Sequence, residues 1–178
     1  MDPISAIDQH AALARRIQVE LDQSYRLARA ILLDDREAED AVQDACLVAW
    51  QRGESVRDPE RFGAWFGRVL VNGCRDRLRR RRRGQVRAHA LQAEWRVDAT
   101  GSPSSDPQLR DDLDPNLDAA FDRLDADHRI VVLLRFWQDL TLEEIADRLD
   151  LPLGTVKSRL HYALRRLRTD LEASDGRA

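Results

Sequence analysis

Apolar residues recur at intervals of three and four along most of the chain, which is the spacing of one face of an α-helix. The pattern runs from about residue 8 to residue 83. It resumes at Leu117, where Leu117, Phe121 and Leu124 precede the apolar run "IVVLL". No segment alternates apolar and polar residues in the manner of a half-buried strand. We therefore predict an all-α protein.

The helical pattern is interrupted in the second half of the chain. Between residues 88 and 128 there are ten acidic residues and three basic ones, and the centre reads "ATGSPSSDPQ". Turn formers of this kind bury too little apolar surface to order a chain. We predict two small helical domains, at residues 1–86 and 115–178, joined by a flexible acidic linker at residues 87–114.

The segment "TLEEIADRLDLPLGTVKSRLHYALRRLR" predicts two helices joined by a tight turn. Thr141 and Glu144 fit a capping box at the start of the first helix, and Asp150 suits the left-handed conformation that would end it. Pro152 suits the first turn of the second helix. The apolar stripe that this second helix would bury comprises Val156, Leu160, Ala163, Leu164, Leu167 and Leu171.

The opposite side of that second helix is polar and carries no acidic residue up to Thr169. A tight helix pair with a cationic outer face is typical of a helix-turn-helix that contacts DNA. The alternative is an ordinary solvated face on an amphipathic helix. The DNA contacts that we predict here are Thr155, Lys157, Ser158, His161, Tyr162 and Arg165.

An acidic helix is predicted at residues 34–52. Its small-residue face, which suits close packing on neighbouring helices, comprises Ala38, Ala41, Val42, Ala45 and Ala49. A second stripe, which we interpret as a docking surface for a basic protein partner, comprises Asp40, Gln43, Asp44 and Leu47. The alternative is a solvated acidic face without a partner.

The cationic run "RDRLRRRRR" at residues 75–83 continues an amphipathic helix. Its apolar side comprises Phe62, Trp65, Phe66, Val69 and Leu70, and its open side would carry cations and the polar Asn72. Aromatic rings beside cations can bind unpaired bases. Core packing explains Trp65 and Phe66 at least as well.

Three pieces of the sequence occur in the order of a known family: "AEDAVQDACLVAW", "FGAWFGRVLVNGCRDRLRRRRR" and "LTLEEIADRLDLPLGTVKSRLHYALRRLR". Together they resemble region 2 and region 4 of a bacterial sigma factor of the extracytoplasmic-function type. The resemblance implies a subunit that binds core RNA polymerase, recognises a -35 element through region 4, and recognises and helps to melt a -10 element through region 2. It also reconciles a DNA-binding role with a net charge of -3, because the core enzyme would supply most phosphate contacts.

The resemblance assigns roles residue by residue. Asp40, Gln43 and Asp44 match positions that contact the core enzyme, and residues 57–62 match a loop that holds a flipped base. Tyr162 and Leu164 stand where arginines are common in the family, so no -35 sequence preference is transferred. The predicted contacts to the -10 element are Arg57, Arg61, Phe62, Asn72, Arg75, Arg79 and Arg80.

Other classes of function find little support in the sequence. The two cysteines lie far apart without metal-ligand spacing, so we expect no metal site. The four histidines are scattered and no catalytic constellation stands beside a candidate nucleophile, so we expect no enzymatic activity, and we also expect no cofactor. The longest apolar run is far shorter than the roughly 20 residues of a membrane span, so we expect a cytoplasmic protein. The family resemblance implies an anti-sigma factor as a further partner. Two alternatives are an autonomous helix-turn-helix regulator and a nucleic-acid enzyme that holds magnesium at Asp34, Asp35, Glu37, Glu39 and Asp40.

Overall fold

The computed structural model describes residues 3–53, 56, 58, 61–91 and 115–175. Within these ranges it describes the side chains of residues 10–84 and 116–174, except that of residue 118. The described residues form helices without strands, which confirms the all-α prediction. The chain divides into two compact units, the first at Met1–Ser104 and the second at Ser105–Ala178. The helices are α1 (Pro3–Leu32), α2 (Asp35–Arg52), α3 (Phe62–Leu91), α4 (Pro115–Asp122), α5 (Ala126–Phe136), α6 (Leu142–Leu149) and α7 (Leu153–Asp175).

In the first unit, α1, α2 and α3 each pack against the other two. The chain leaves α1 through Leu33, which adopts a left-handed φ of 56° and donates its backbone N–H to the carbonyl oxygen of Arg29. Asp34 then caps α2, because its carboxylate accepts the backbone N–H of Glu37 at 2.9 Å. The small-residue face of α2 is buried as predicted, at Ala38, Ala41, Val42, Ala45 and Ala49.

The buried side of α3 differs in part from the predicted one. Phe62, Phe66 and Leu70 are buried as expected, whereas Trp65 and Val69 are half-buried. Val71 and Cys74 complete the core side in their place. The helix also continues to residue 91, so the first five residues of the predicted linker, 87–91, are helical. The remainder of that predicted linker, residues 92–114, lies outside the described residues.

In the second unit, α7 packs against α4, α5 and α6. The apolar run of α5 lies at the centre, since all of residues 130–134 are buried. Asp125 caps α5 by accepting the backbone N–H of Asp127. Ala163 and Leu167 of α7 form a buried cluster with Ala120 of α4, Val132 of α5 and Leu124 between those two helices.

The helix pair α6–α7 forms, and its first helix, α6, begins and ends as predicted. Thr141 and Glu144 make the capping box: the Thr141 hydroxyl accepts the backbone N–H of Glu144 at 3.2 Å, and the Glu144 carboxylate accepts the backbone N–H of Thr141 at 2.8 Å. Asp150 ends α6 in the left-handed conformation, with φ of 52°. The carbonyl oxygen of Pro152 accepts the backbone N–H groups of Thr155 and Val156, so α7 starts immediately after the proline.

Candidate functional site

The outer face of α7 presents the residues that the sequence assigns to DNA. Val156 and Ala163 are fully buried against the rest of the second unit, which turns the opposite side of the helix towards solvent. Thr155 is half-buried near the start of the helix. The exposed members of this outer face are Lys157, Ser158, His161, Tyr162 and Arg165. Leu164 was predicted to be buried and is 42% exposed, because it lies at the edge between the buried stripe and the outer face.

Tyr162 is the aromatic centre of that outer face. Its side chain is 57% exposed, and the guanidinium carbon of Arg165 lies 5.9 Å from its ring centre. The rings of His161 and His128 lie 6.1 Å and 6.3 Å from it. In such a pair, the ring can contact an apolar group at the edge of a base, and the cation can contact a phosphate.

Two other arginines of α7 form ion pairs within the second unit. Arg159 forms an ion pair with Asp127 of α5, with 3.0 Å between Nη2 and Oδ2. Arg166 pairs with Asp170 one turn further along α7 at 3.3 Å. The cationic charge of α7 therefore divides between contacts within the unit and the exposed face.

The acidic stripe of α2 is exposed along its length. Asp40 and Asp44 have side chains that are 53% and 66% exposed, Gln43 is exposed, and Leu47 is 61% exposed. Trp50 extends the apolar end of the stripe, at 49% exposure, with its ring centre 5.4 Å from that of His10. The stripe thus offers carboxylates at one end and apolar groups at the other to a protein partner.

The cationic run of α3 is divided between two sides of the helix. Arg77 reaches Asp44 and Asp40 of α2 at 2.5 Å and 3.9 Å, and Arg81 reaches Glu37 and Asp34 at 3.1 Å and 3.4 Å. These two arginines, one turn apart, fasten α3 to α2. The sequence analysis included neither Arg77 nor Arg81 among the DNA contacts, but it did not identify their ion pairs with α2.

The other side of α3 faces solvent. Asn72, Arg79 and Arg80 are exposed, Arg75 is half-buried, and Arg79 also pairs with Asp76 at 3.4 Å. Arg68 is exposed one turn before Asn72 and shares its side of the helix, since residues four apart lie on one face. The sequence analysis did not include Arg68, although its spacing from Asn72 could have identified it.

The loop before α3 gives a mixed outcome for the predicted DNA contacts. Arg61 is exposed and pairs with Asp58 at 3.3 Å, whereas Arg57 lies outside the described residues. Phe62 is only 2% exposed, and its ring centre lies 5.8 Å from that of Phe66. The ring fills the core of the first unit and is not accessible from solvent in this structure, so burial gives the predicted DNA contact no support and it stays a prediction.

The acidic residues at the start of α2 are occupied by protein contacts. Asp34 caps the helix and pairs with Arg81, Asp35 pairs with Arg29, and Asp40 pairs with Arg77. Within the part of the chain that the structure describes, no group of three or more His, Cys, Asp or Glu residues could hold a metal ion. The magnesium alternative is not favoured, since each of these three carboxylates serves an arginine.

The surroundings of the two cysteines do not activate either thiol. Burial raises the pKa of the Cys74 thiol to about 12, and burial likewise raises the pKa of Cys46. Because the thiolate is the form that attacks or binds metal, neither side chain is suited to such chemistry.

Comparison with known proteins matches both units. Residues 17–84 match the family model for Sigma-70 region 2, and residues 120–169 match the model for Sigma-70, region 4. The RNA polymerase sigma factor SigV of Bacillus subtilis (strain 168) is 33% identical over 151 residues, which cover 85% of this chain and 86% of that protein. The ECF RNA polymerase sigma factor SigL of Mycobacterium tuberculosis is 34% identical over 169 residues, which cover 93% and 86%.

The chain belongs to the sigma-70 family and is an extracytoplasmic-function sigma factor. This sigma factor is a promoter-recognition subunit of transcription initiation and not an enzyme. Its three-helix first unit contains region 2, and its helix-turn-helix lies in region 4.

Two solved structures share the fold of this sigma factor. The first is RpoE of Bartonella quintana in complex with the anti-sigma factor NepR, with a TM-score of 0.67 and 24% identity over 89% of this chain and 96% of that one. The second is CnrH in complex with the cytosolic domain of CnrY, with a TM-score of 0.56 and 24% identity over 92% of this chain and 88% of that one.

None of the helices described above combines the length and apolar character that a membrane crossing requires.

Proposed function

We propose that this sigma factor directs initiation through three surfaces: the acidic stripe of α2 for core RNA polymerase, the open side of α3 for the -10 element, and the outer face of α7 for the -35 element. The observation that carries the proposal is the outer face of α7. There, exposed polar and cationic residues lie on the second helix of a helix-turn-helix whose opposite side is buried.

The two DNA surfaces suit different forms of DNA. A helix such as α7 fits the major groove of a duplex, where base edges are readable. The open side of α3 carries Asn72 among cations, which suits phosphates and unpaired bases of a melted strand. Recognition of the -35 element by α7 and opening of the -10 element by α3 follow from this difference.

A transcription assay with core polymerase tests the proposal. Holoenzyme reconstituted from this protein and purified core enzyme should transcribe a subset of a genomic fragment library, and the selected fragments should share a -35 and a -10 element. Permanganate reactivity of thymines in the -10 region should appear only with holoenzyme. A holoenzyme without promoter-selective transcription would contradict the proposal.

The autonomous regulator remains distinguishable by a gel shift. Since the chain is acidic overall, we expect sequence-specific binding only when core enzyme is present. Tight specific binding by the isolated protein would favour the autonomous regulator instead.

The second partner that we propose is an anti-sigma factor acting in the cytoplasm. RpoE of Bartonella quintana is bound to the anti-sigma factor NepR, and CnrH is bound to the cytosolic domain of CnrY. The exposed acidic and apolar surface of α2 would suit such a partner here. Co-purification of a genomically adjacent protein that inhibits transcription, and whose binding is weakened by changes at Leu47, would support this part of the proposal.

A further inference from the structure

Arg77 is the one residue of the cationic run that contacts the acidic stripe of α2 itself, among the side chains that the structure describes. Its Nη2 lies 2.5 Å from Oδ2 of Asp44, and its Nη1 lies 3.9 Å from Oδ2 of Asp40. The Arg77 side chain is only 22% exposed, whereas both carboxylates that it contacts are more than half exposed. A single cation thus serves two carboxylates of the proposed docking surface.

This contact lowers the negative charge that the stripe offers to a partner. The two carboxylates carry a charge of -2, and the arginine reduces the local sum to -1. Asp40 and Asp44 remain more than half exposed, so a second cation can reach their other oxygens from solvent. Ion pairs of this exposure are weak, and a well-placed external cation can displace the internal one.

We propose that Arg77 sets the affinity of the α2 stripe by occupying Asp40 and Asp44 in the free protein, and that a cationic surface of core RNA polymerase replaces it on docking. The inference rests on the proposed function, in which this stripe binds the core enzyme. Because Asp40 and Asp44 are one helical turn apart, a partner with two cations at that spacing replaces both contacts. A partner with one cation leaves Arg77 bound to the other carboxylate, so Arg77 also favours partners with paired basic groups.

Binding of the full-length protein to purified core polymerase, measured without DNA, tests the inference. Arg77→Met keeps the length of the stem and removes the competing cation. We expect it to tighten core binding by up to about fivefold, equivalent to roughly 1 kcal/mol at 25 °C. Arg77→Lys restores a competing cation and should return the affinity towards that of the wild type. Arg26→Met, on the exposed side of α1, makes the same change in net charge and serves as the control.

The same measurement in a background without the carboxylates separates this inference from the proposed function. In Asp40→Ala/Asp44→Ala, core binding should weaken, and Arg77→Met should then have no further effect. If the double variant binds core as the wild type does, the proposed docking surface is wrong. If the double variant weakens binding but Arg77→Met alone leaves affinity unchanged or lowers it, Arg77 does not compete, and the inference is overturned. Thermal melting of each variant shows whether a loss of affinity comes from unfolding.

Discussion

The cationic segments of α3 and α7 differ in the partners of their arginines. On α3, Arg77 and Arg81 cross to α2 and pair with its carboxylates, so part of the run joins two helices. On α7, Arg159 also crosses to a neighbouring helix, where it pairs with Asp127 of α5, whereas Arg165 lies over the ring of the exposed Tyr162 on the outer face. The comparison shows that a dense cationic run does not define a DNA surface by itself. Carboxylates on the neighbouring helix pair with the cations that face them, whether those cations are partly buried, as Arg77 is, or exposed, as Arg81 is.

The two segments also differ in what lies beneath them. Under the start of α3, the aromatic side chains of Phe62 and Phe66 fill the core of the first unit. The buried side chains that α7 itself contributes are smaller, such as those of Val156 and Ala163. Changes beneath α3 should therefore have larger effects on stability than changes beneath α7.

The largest effect is expected at Phe62. Phe62→Ala removes a ring that is 2% exposed, and we expect the first unit to lose about 3–5 kcal/mol of unfolding free energy. Urea unfolding followed by circular dichroism measures the loss, with Arg61→Ala as an exposed control beside it. A variant with wild-type stability but weaker binding to single-stranded -10 DNA would support the predicted contact of Phe62 with DNA.

The next effect separates the two sides of α7. Val156→Ala should cost the second unit about 1–3 kcal/mol through a cavity beneath the helix. Lys157→Ala should change stability by no more than about 0.5 kcal/mol and should reduce transcription from promoters that depend on a -35 element. Urea unfolding and in vitro transcription measure the two effects, and Arg166→Ala controls for loss of a cation elsewhere on the helix. Wild-type transcription by Lys157→Ala would remove this residue from the reading face.

A smaller effect should separate the two sides of α3. Arg81→Ala removes ion pairs to Asp34 and Glu37 whose groups are partly exposed, so we expect a stability loss of about 0.2–1 kcal/mol. Arg80→Ala should leave stability unchanged and reduce permanganate reactivity of the melted -10 region. Equal effects of the two variants on both measurements would contradict the division of the run into two sides.

The smallest effect concerns the capping box that positions α6 before α7. Hydrogen bonds from the backbone and side chain of Thr141 lower the pKa of Glu144. Since the folded-state pKa is depressed, this contribution is complete above the ordinary value of 4.5 and is lost as pH falls through the folded-state pKa. Thr141→Ala should therefore lower the melting temperature slightly at pH 7, and the difference from wild type should shrink as pH falls below the ordinary value of 4.5 and through the lowered pKa of Glu144. A difference that is constant from pH 7 to pH 3 would contradict this account.

The sequence by itself determined the features that depend on residues close together in the chain. The helical class, the small-residue face of α2, the capping box at Thr141 and the left-handed end of α6 at Asp150 all follow from spacing and local hydrogen bonding. The exposed residues on the outer face of α7 follow from the same periodicity. The family resemblance, which comparison with known proteins confirmed, then indicated what these surfaces serve.

Only the tertiary structure decided which side chains remain available to a partner. Periodicity gives the positions of Arg77 and Phe62 around the axis of α3 but not what each side chain contacts. The packing of α2 against α3 brings Arg77 to the carboxylates of α2, and the core of the first unit encloses Phe62. Leu164 likewise fits an apolar stripe by spacing, yet it is 42% exposed in the second unit. The physical reason is that the neighbour which covers a side chain or pairs with it is distant in the chain. The spacing of residues within one helix does not identify that neighbour.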